Sequence, residues 1–313
     1  MEICLCCGLK LKNEGPYHKG CLQKLFGTAR IPVINFASSD LLSEINKNIE
    51  KMSISGAQIK ASVKPDIGKN TIEITGYGGT HILKPEPGDY PGLCQNENLC
   101  MNMAESAGME VPPHGLFYLA DKKLCYIVKR FDRDELVNKI HVEDMAQLSG
   151  MSPETKYEAS LEKVGKIILK YSRRPYIDIV YFIERVIFCF LTGNGDMHLK
   201  NWSLISALEN SGGGYQLAPC YDFLCSKIYL PGEDESALTV NGKRNRISSD
   251  DFYALSQYLK IDSKAYENSF ARIRGLKNIF LELIDNAVYF DQRERLKEIF
   301  NKNYSKLFAN SKF

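Results

Sequence analysis

The 313-residue chain has no excess of charge of either sign: 40 Lys and Arg against 38 Asp and Glu leave a formal net charge of +2, with both signs interspersed. This removes the one-sided basic field on which non-specific nucleic-acid binding depends, so no direct nucleic-acid contact is expected and an anionic ligand must be met by local groups. There is no apolar run long enough to span a bilayer, since the longest, Ile177 to Leu191, contains Asp178, Glu184 and Arg185. Met1 is followed by "EICLCCGLK" and not by the basic segment and apolar stretch of a secretory signal. No repeat period or low-complexity tract is visible. Together these absences make a soluble, cytoplasmic protein the expectation.

What is present is enough core-forming material, 44% hydrophobic residues, for one large domain or two lobes. Ten cysteines without a secretion signal read as reduced thiols. Four of them lie in residues 1 to 30, where Cys4-x2-Cys7 and His18-x2-Cys21 have the ligand types and spacing of a small zinc knuckle. The alternative is that Cys6 and Cys21 are simply small buried apolar residues.

From Met52 to Leu83, "IKASVK", "TIEIT" and "THILK" alternate with Gly, Pro, Asp and Asn clusters, the pattern of short strands and hairpins. "NENLCMNMAESAG" then has Leu99, Met103 and Ala107 at helical spacing, with a glycine stop. "GLFYLADKKLCYIVKRF" reads as a hairpin turning at Ala120 to Lys123. Beyond residue 135 the pattern is helical. Tyr157, Leu161, Val164 and Ile168 form one stripe, and Ile177 to Leu191 is apolar nearly all round, as a central buried helix should be. Phe270, Ile273, Leu276 and Leu283 mark a further long helix, and Leu296, Ile299 and Phe300 the next. The expected layout is α+β: a Cys-rich segment at 1–30, a small mixed β-rich lobe at 31–135 and a larger all-helical lobe at 136–313.

Chemistry concentrates in "GNGDMHLKN". Asp196 and Asn201 stand at D-x4-N spacing directly after the buried helix. Phosphoryl transfer uses such a pair, the Asp to orient a hydroxyl and accept its proton, the Asn amide oxygen to reach a magnesium ion on the nucleotide phosphates. Gly193 and Gly195 let the backbone leave the helix, and Lys200 is near enough in sequence to screen the transferring phosphate. A second metal ligand is offered by Asp222 in "PCYDF": read alone it is an ordinary cap or turn residue, but its place after the D-x4-N loop and one intervening hairpin favours the metal reading. "SISGAQIK", Ser53 to Lys60, is a Gly-centred loop whose backbone N–H groups and hydroxyls suit phosphates; it is not a Walker loop. Lys84 ends a strand, Glu97 opens the next helix as its ion-pair partner, and "VKRFDR" from Val128 ends the hairpin where an adenine edge would be read. Arg130 and Asp132 there form a candidate ion pair. Each feature has a plain structural alternative, but they occur in the chain order that a two-lobed kinase requires.

These segments, with "HVEDMAQLSGMSPETKYE", resemble the HipA family of bacterial toxin kinases over residues 30 to 225. The resemblance implies a two-lobed protein-kinase-like fold, ATP and magnesium as cofactors, and phosphorylation of a serine on a protein substrate such as an aminoacyl-tRNA synthetase. It implies Asp196 as catalytic base, with His198 and Lys200 beside it. Asn201 and Asp222 become the magnesium ligands, and Ser53, Ser55, Gly56, Ala57, Gln58, Lys60, Lys84, Lys129, Phe131 and Tyr221 the nucleotide contacts. Ser53 or Ser55 is the implied autophosphorylation site, where added charge disfavours ATP. Because only the Cys-rich segment precedes the Ser53 loop, the chain resembles the shorter HipT type, with a HipS-like small antitoxin and a HipB-like DNA-binding antitoxin as partners. Two other readings are a catalytically silent kinase-shaped binding module that engages an antitoxin or transcriptional regulator, and a zinc-dependent nucleic-acid binder built on residues 4 to 21.

Overall fold

In "HILKP" alternate side chains take opposite faces of a sheet, and both faces are covered. The computed structural model describes residues 2–12, 15–41, 59–207 and 213–309. Within them the chain forms two units, one of Met1–Asn102, Pro112–Lys139 and Asp285–Asp291, the other of Met103–Val111, Ile140–Ile284 and Gln292–Phe313.

The first unit is built on an antiparallel five-stranded sheet in the order β2-β1-β3-β5-β4, with β1 at Ala61–Asp66, β2 at Thr71–Ile74, β3 at His81–Pro85, β4 at His114–Tyr118 and β5 at Leu124–Lys129. Leu83 pairs with Ile127 and Lys84 with Tyr126. Leu83, Ile127, Phe117 and Val63 face helix α1 (Lys19–Phe26) through Leu22, Leu25 and Phe26. The opposite face presents Leu116 and Tyr126 to Cys94 of helix α2 (Leu93–Ser106). Period-two alternation therefore sends Lys84 to the α2 side, where Glu97 stands. The strands and the hairpin lie where the sequence pattern puts them, while the helix expected over 96–108 runs from Leu93 to Ser106, so that Glu97 stands in its second turn and does not open it.

The second unit is centred on α5 (Pro175–Thr192), buried along most of its length and touched by α4 (Leu161–Tyr171), α6 (Ser249–Tyr258), α7 (Ser263–Gly275) and α9 (Arg293–Phe308). Aromatic edges lock these helices: Phe190 meets Phe252 at 5.5 Å and Phe270 meets Phe308 at 4.8 Å. Such pairs add to area burial. Three findings go beyond the helical reading of this half. The stretch expected as one long helix is two, α7 and α8 (Lys277–Asn286), because the chain caps at Leu276. Tyr157 does not sit on the α4 stripe, since Ser160 caps that helix by accepting the Lys163 N–H. A three-stranded sheet, β6 (Val142–Asp144), β7 (Ser203–Ser206) and β8 (Tyr215–Leu217), also joins the helices, with a short α3 (Met145–Leu148) after β6. Asp178, fully buried at the start of α5, accepts from Ser172 Oγ, Arg174 Nε and the Leu217 N–H, each at 2.7 Å, and so ties β8 to the central helix.

Candidate active site

Helix α5 ends at Gly193, whose φ of 70° is left-handed and whose N–H returns to the Cys189 and Phe190 carbonyls. A Cβ at this position would lie 2.7 Å from Ile299 Cγ2, so both backbone and packing call for glycine. Gly195 serves differently, by close approach: its Cβ would meet Asp234 O at 2.7 Å and Glu233 Cδ at 2.6 Å. The chain then folds on itself. The Asp196 carbonyl accepts the His198 N–H at 2.8 Å and Asn201 Nδ2 at 2.9 Å, and the Met197 carbonyl accepts Trp202 Nε1 at 3.2 Å. A 3-10 turn at Leu199–Asn201 leads straight into β7.

This fold gives Asn201 a direction. Its amide nitrogen is held by backbone, and among the described residues no donor reaches its oxygen, so the oxygen is the end available to a cation. Asp196 Oδ1 accepts the Tyr157 hydroxyl at 2.5 Å. Burial and the Asp196 charge both raise the Tyr157 pKa, so the phenol stays a donor. His198 packs its ring edge-on to Tyr157 at 5.1 Å, with Nδ1 buried and unbonded. Burial pulls its pKa down, against the opposing fields of Asp196 and Asp222. A neutral imidazole wedged under the loop fits a packing role better than proton transfer.

Asp222 adopts φ 54°, left-handed for a residue with a side chain. Such a conformation costs about 1 kcal/mol or more and persists only where neighbours over-determine it. They do: Phe223 on its C-terminal side is buried and stacked on Phe188 at 5.6 Å. On its N-terminal side the Tyr221 hydroxyl reaches Ser203 Oγ at 2.5 Å and the Lys200 carbonyl at 3.0 Å. Tyr221 thus fastens the Asp222 segment to the turn that carries Asn201. Lys200 itself directs its ammonium to Asp144, the N-cap of α3, at 3.0 Å. A carboxylate and a carboxamide oxygen are hard donors of the kind magnesium takes, so this pair fits that ion.

In the first unit Lys84 and Glu97 are 3% and 1% exposed and pair at 2.6 Å, with the ammonium 5.6 Å from the centre of the Tyr126 ring. Lys129 is exposed at the end of β5 and Phe131 is half-buried just beyond it. Arg130 pairs with Asp132 at 2.7 Å. Lys60 leads into β1, whereas Ser53, Ser55, Gly56, Ala57 and Gln58 lie outside the described residues. The sulfurs of Cys4, Cys7 and Cys21 and a ring nitrogen of His18 lie within 4.8 Å of one another.

Two residues of the site escaped the sequence reading. Tyr157 was assigned to a helix stripe, and only the Ser160 cap signal separates it from that helix. Glu233 lies over Gly195 and accepts Ser226 Oγ at 2.5 Å, while Ser226 Oγ accepts the Gly195 N–H at 2.8 Å.

Residues 52–288 match the family model described as the HipA-like C-terminal domain. The Sinorhizobium fredii protein named "Putative kinase Y4dM" is 33% identical over 240 residues, 71% of this chain and 57% of that protein. The Shewanella oneidensis serine/threonine-protein kinase toxin HipA is 28% identical over 213 residues, 61% of this chain and 47% of that one. The chain thus spans about half the length of the curated relatives it matches. Among solved structures, a chain of the Shewanella oneidensis complex of HipA, HipB and operator DNA superposes with a TM-score of 0.63 at 20% identity, covering 85% of this chain and 69% of that chain.

Proposed function

The chain belongs to the HipA family, and from that premise we propose that it is an ATP-dependent serine/threonine protein kinase of the toxin type. The observation that carries this is the loop from Gly193 to Trp202, which holds Asp196 and Asn201 through shared backbone bonds and leaves the Asn201 oxygen to a cation. The substrate serine Oγ attacks the γ-phosphorus of ATP, the bond from that phosphorus to the β–γ bridging oxygen breaks, and ADP leaves. The serine proton passes to Asp196, whose carboxylate is oriented by Tyr157. Asn201 and Asp222 would hold magnesium, which when bound offsets the negative charge on the phosphate oxygens. Lys84, kept in place by Glu97, contributes a fixed positive charge to the phosphates. Lys60, Lys129, Phe131 and Tyr221 complete the assigned nucleotide contacts together with Ser53, Ser55, Gly56, Ala57 and Gln58. Catalysis of this kind is positioning and charge stabilisation, with little covalent work for the protein.

The finer reading concerns targets and partners. The protein substrate is an aminoacyl-tRNA synthetase, Ser53 or Ser55 is phosphorylated by the kinase itself, and the partners are a HipB-like DNA-binding antitoxin and a HipS-like small one, as for a HipT-type chain. The Shewanella structure, in which HipA is found with HipB and operator DNA, supports the class of partner. The test incubates the purified chain with magnesium and radiolabelled ATP, alone and with a panel of synthetases, beside Asp196→Asn. Label on serine that falls by about 100-fold or more in the variant is the expected result. Equal labelling of both proteins, or no affinity for ATP by calorimetry, overturns the proposal.

A further inference from the structure

We propose that Cys4, Cys7 and Cys21, through their sulfurs, and His18, through Nδ1, form a structural zinc site that clasps the N-terminal segment onto the edge of the five-stranded sheet. In a tetrahedral site with Zn–S near 2.3 Å and Zn–N near 2.0 Å, ligand atoms stand roughly 3.5 to 3.8 Å apart. The four ligand atoms here all fall within 4.8 Å, and Cys7 Sγ lies 3.3 Å from His18 Nδ1. Three thiolates and an imidazole suit zinc rather than magnesium or calcium.

The backbone is arranged for convergence. Residues 3 and 10 form a bridge, the Gly8 N–H returns to the Cys4 carbonyl at 2.9 Å with φ 69°, and the His18 N–H points at Cys4 Sγ at 3.3 Å. The imidazole is also oriented from behind. Its Nε2 lies 3.2 Å from the Lys10 carbonyl, which fixes the tautomer that leaves Nδ1 for the metal, the usual arrangement of a ligating histidine. Cys6 has another task. Its thiol lies where a side chain on Gly115 would be, 2.5 Å from the Cβ position, so glycine in β4 lets the segment lie flat on the strand.

The site is a clasp because both of its turns grip the same places. β4 is an edge strand, and edge N–H and C=O groups need covering. The Leu116 N–H donates to the Leu5 carbonyl at 3.0 Å, and the Leu116 carbonyl accepts the Tyr17 hydroxyl at 2.9 Å. Tyr17 stacks on Phe117 at 4.8 Å. From the other side, Asn98 and Asn102 of α2 donate to the Leu5 and Cys6 carbonyls at 3.3 and 2.8 Å. Glu97, the partner of Lys84, belongs to that same helix. A segment this short buries little by itself, and a metal cross-link is what small modules use to hold such geometry.

Metal analysis of the full chain purified without chelator tests the proposal, followed by replacement with Co(II). The expected result is about one zinc per chain and, with cobalt, the visible absorption of a tetrahedral thiolate site. Cys7→Ala and Cys21→Ala should each lower zinc content several-fold, while Cys100→Ala retains it. Chelation of the wild type should speed amide exchange at 114–118 and 93–106. Absence of both zinc and the cobalt band, a disulfide among these cysteines, or zinc indifferent to both variants overturns the site. Zinc whose removal leaves exchange unchanged overturns the clasp. None of these readouts depends on kinase activity.

Discussion

Glu233 sets a pH dependence that can be worked through. Burial raises its pKa from 4.5 to about 7, helped by the Asp196 charge and opposed by the Ser226 hydroxyl, Lys227 and the Gly195 N–H. The folded-state value lies above the unfolded one, so between these limits the native protein holds a proton that the unfolded chain has released. Stability therefore falls as pH rises from about 4.5 to about 7 and stays lower beyond, because the ionised carboxylate is partly desolvated. A displacement of that size corresponds to about 3.4 kcal/mol. Glu233 is only half-buried, so solvent screening reduces the expected effect to about 1–2 kcal/mol. Glu233→Gln keeps an acceptor for Ser226 and removes the titration. Urea unfolding followed by circular dichroism at pH 4.5, 5.5, 6.5 and 7.5 should show the wild type losing that amount relative to the variant across the series. A difference between the two that is flat with pH, or that grows in favour of the wild type, refutes the reasoning.

Three further outcomes can be checked. Glu97→Leu removes the 2.6 Å carboxylate partner of the buried Lys84 ammonium and should cost about 3–5 kcal/mol, whereas Lys84→Met with Glu97→Leu should cost much less; a double-mutant cycle in urea decides, and additive losses would contradict a buried pair. Gly195→Ala forces a Cβ against the Asp234 carbonyl and, on the proposed kinase function, should cut phosphate transfer about 100-fold while the far-UV spectrum is unchanged. Asp178→Ala removes one buried carboxylate from three donors and should lower stability by about 3–5 kcal/mol in thermal unfolding, with α5 and β8 losing protection together in hydrogen exchange.

What the sequence made legible follows from the range of the forces involved. Strands β1 to β5 and the helices α2 and α5 are announced by local periodicity, because each buries a continuous face. The family match covers residues 52–288 and the α+β class holds, but the half expected to be all-helical also carries the sheet of β6, β7 and β8. Of the second sheet, the β7–β8 hairpin between the Asn201 turn and Asp222 is legible in the sequence, whereas β6, three residues long, is too short for alternation to register and pairs with β7 only in the tertiary fold. The site divides along the same line. Asp196 and Asn201 were readable because a turn imposes their spacing. Tyr157 and Glu233 reach Asp196 and Gly195 from 39 and 38 positions away, through tertiary packing that leaves no local pattern. The proposed clasp is an intermediate case: its two short Cys and His pairs stand out in the sequence, but the close approach of Cys6 to Gly115 depends on a strand about 110 residues later. A residue fixed by its neighbours in sequence can thus be named from sequence, while one fixed by a distant surface is seen only once that surface exists. Tyr157 and Glu233 are of the second kind, although one touches Asp196 and the other lies against Gly195.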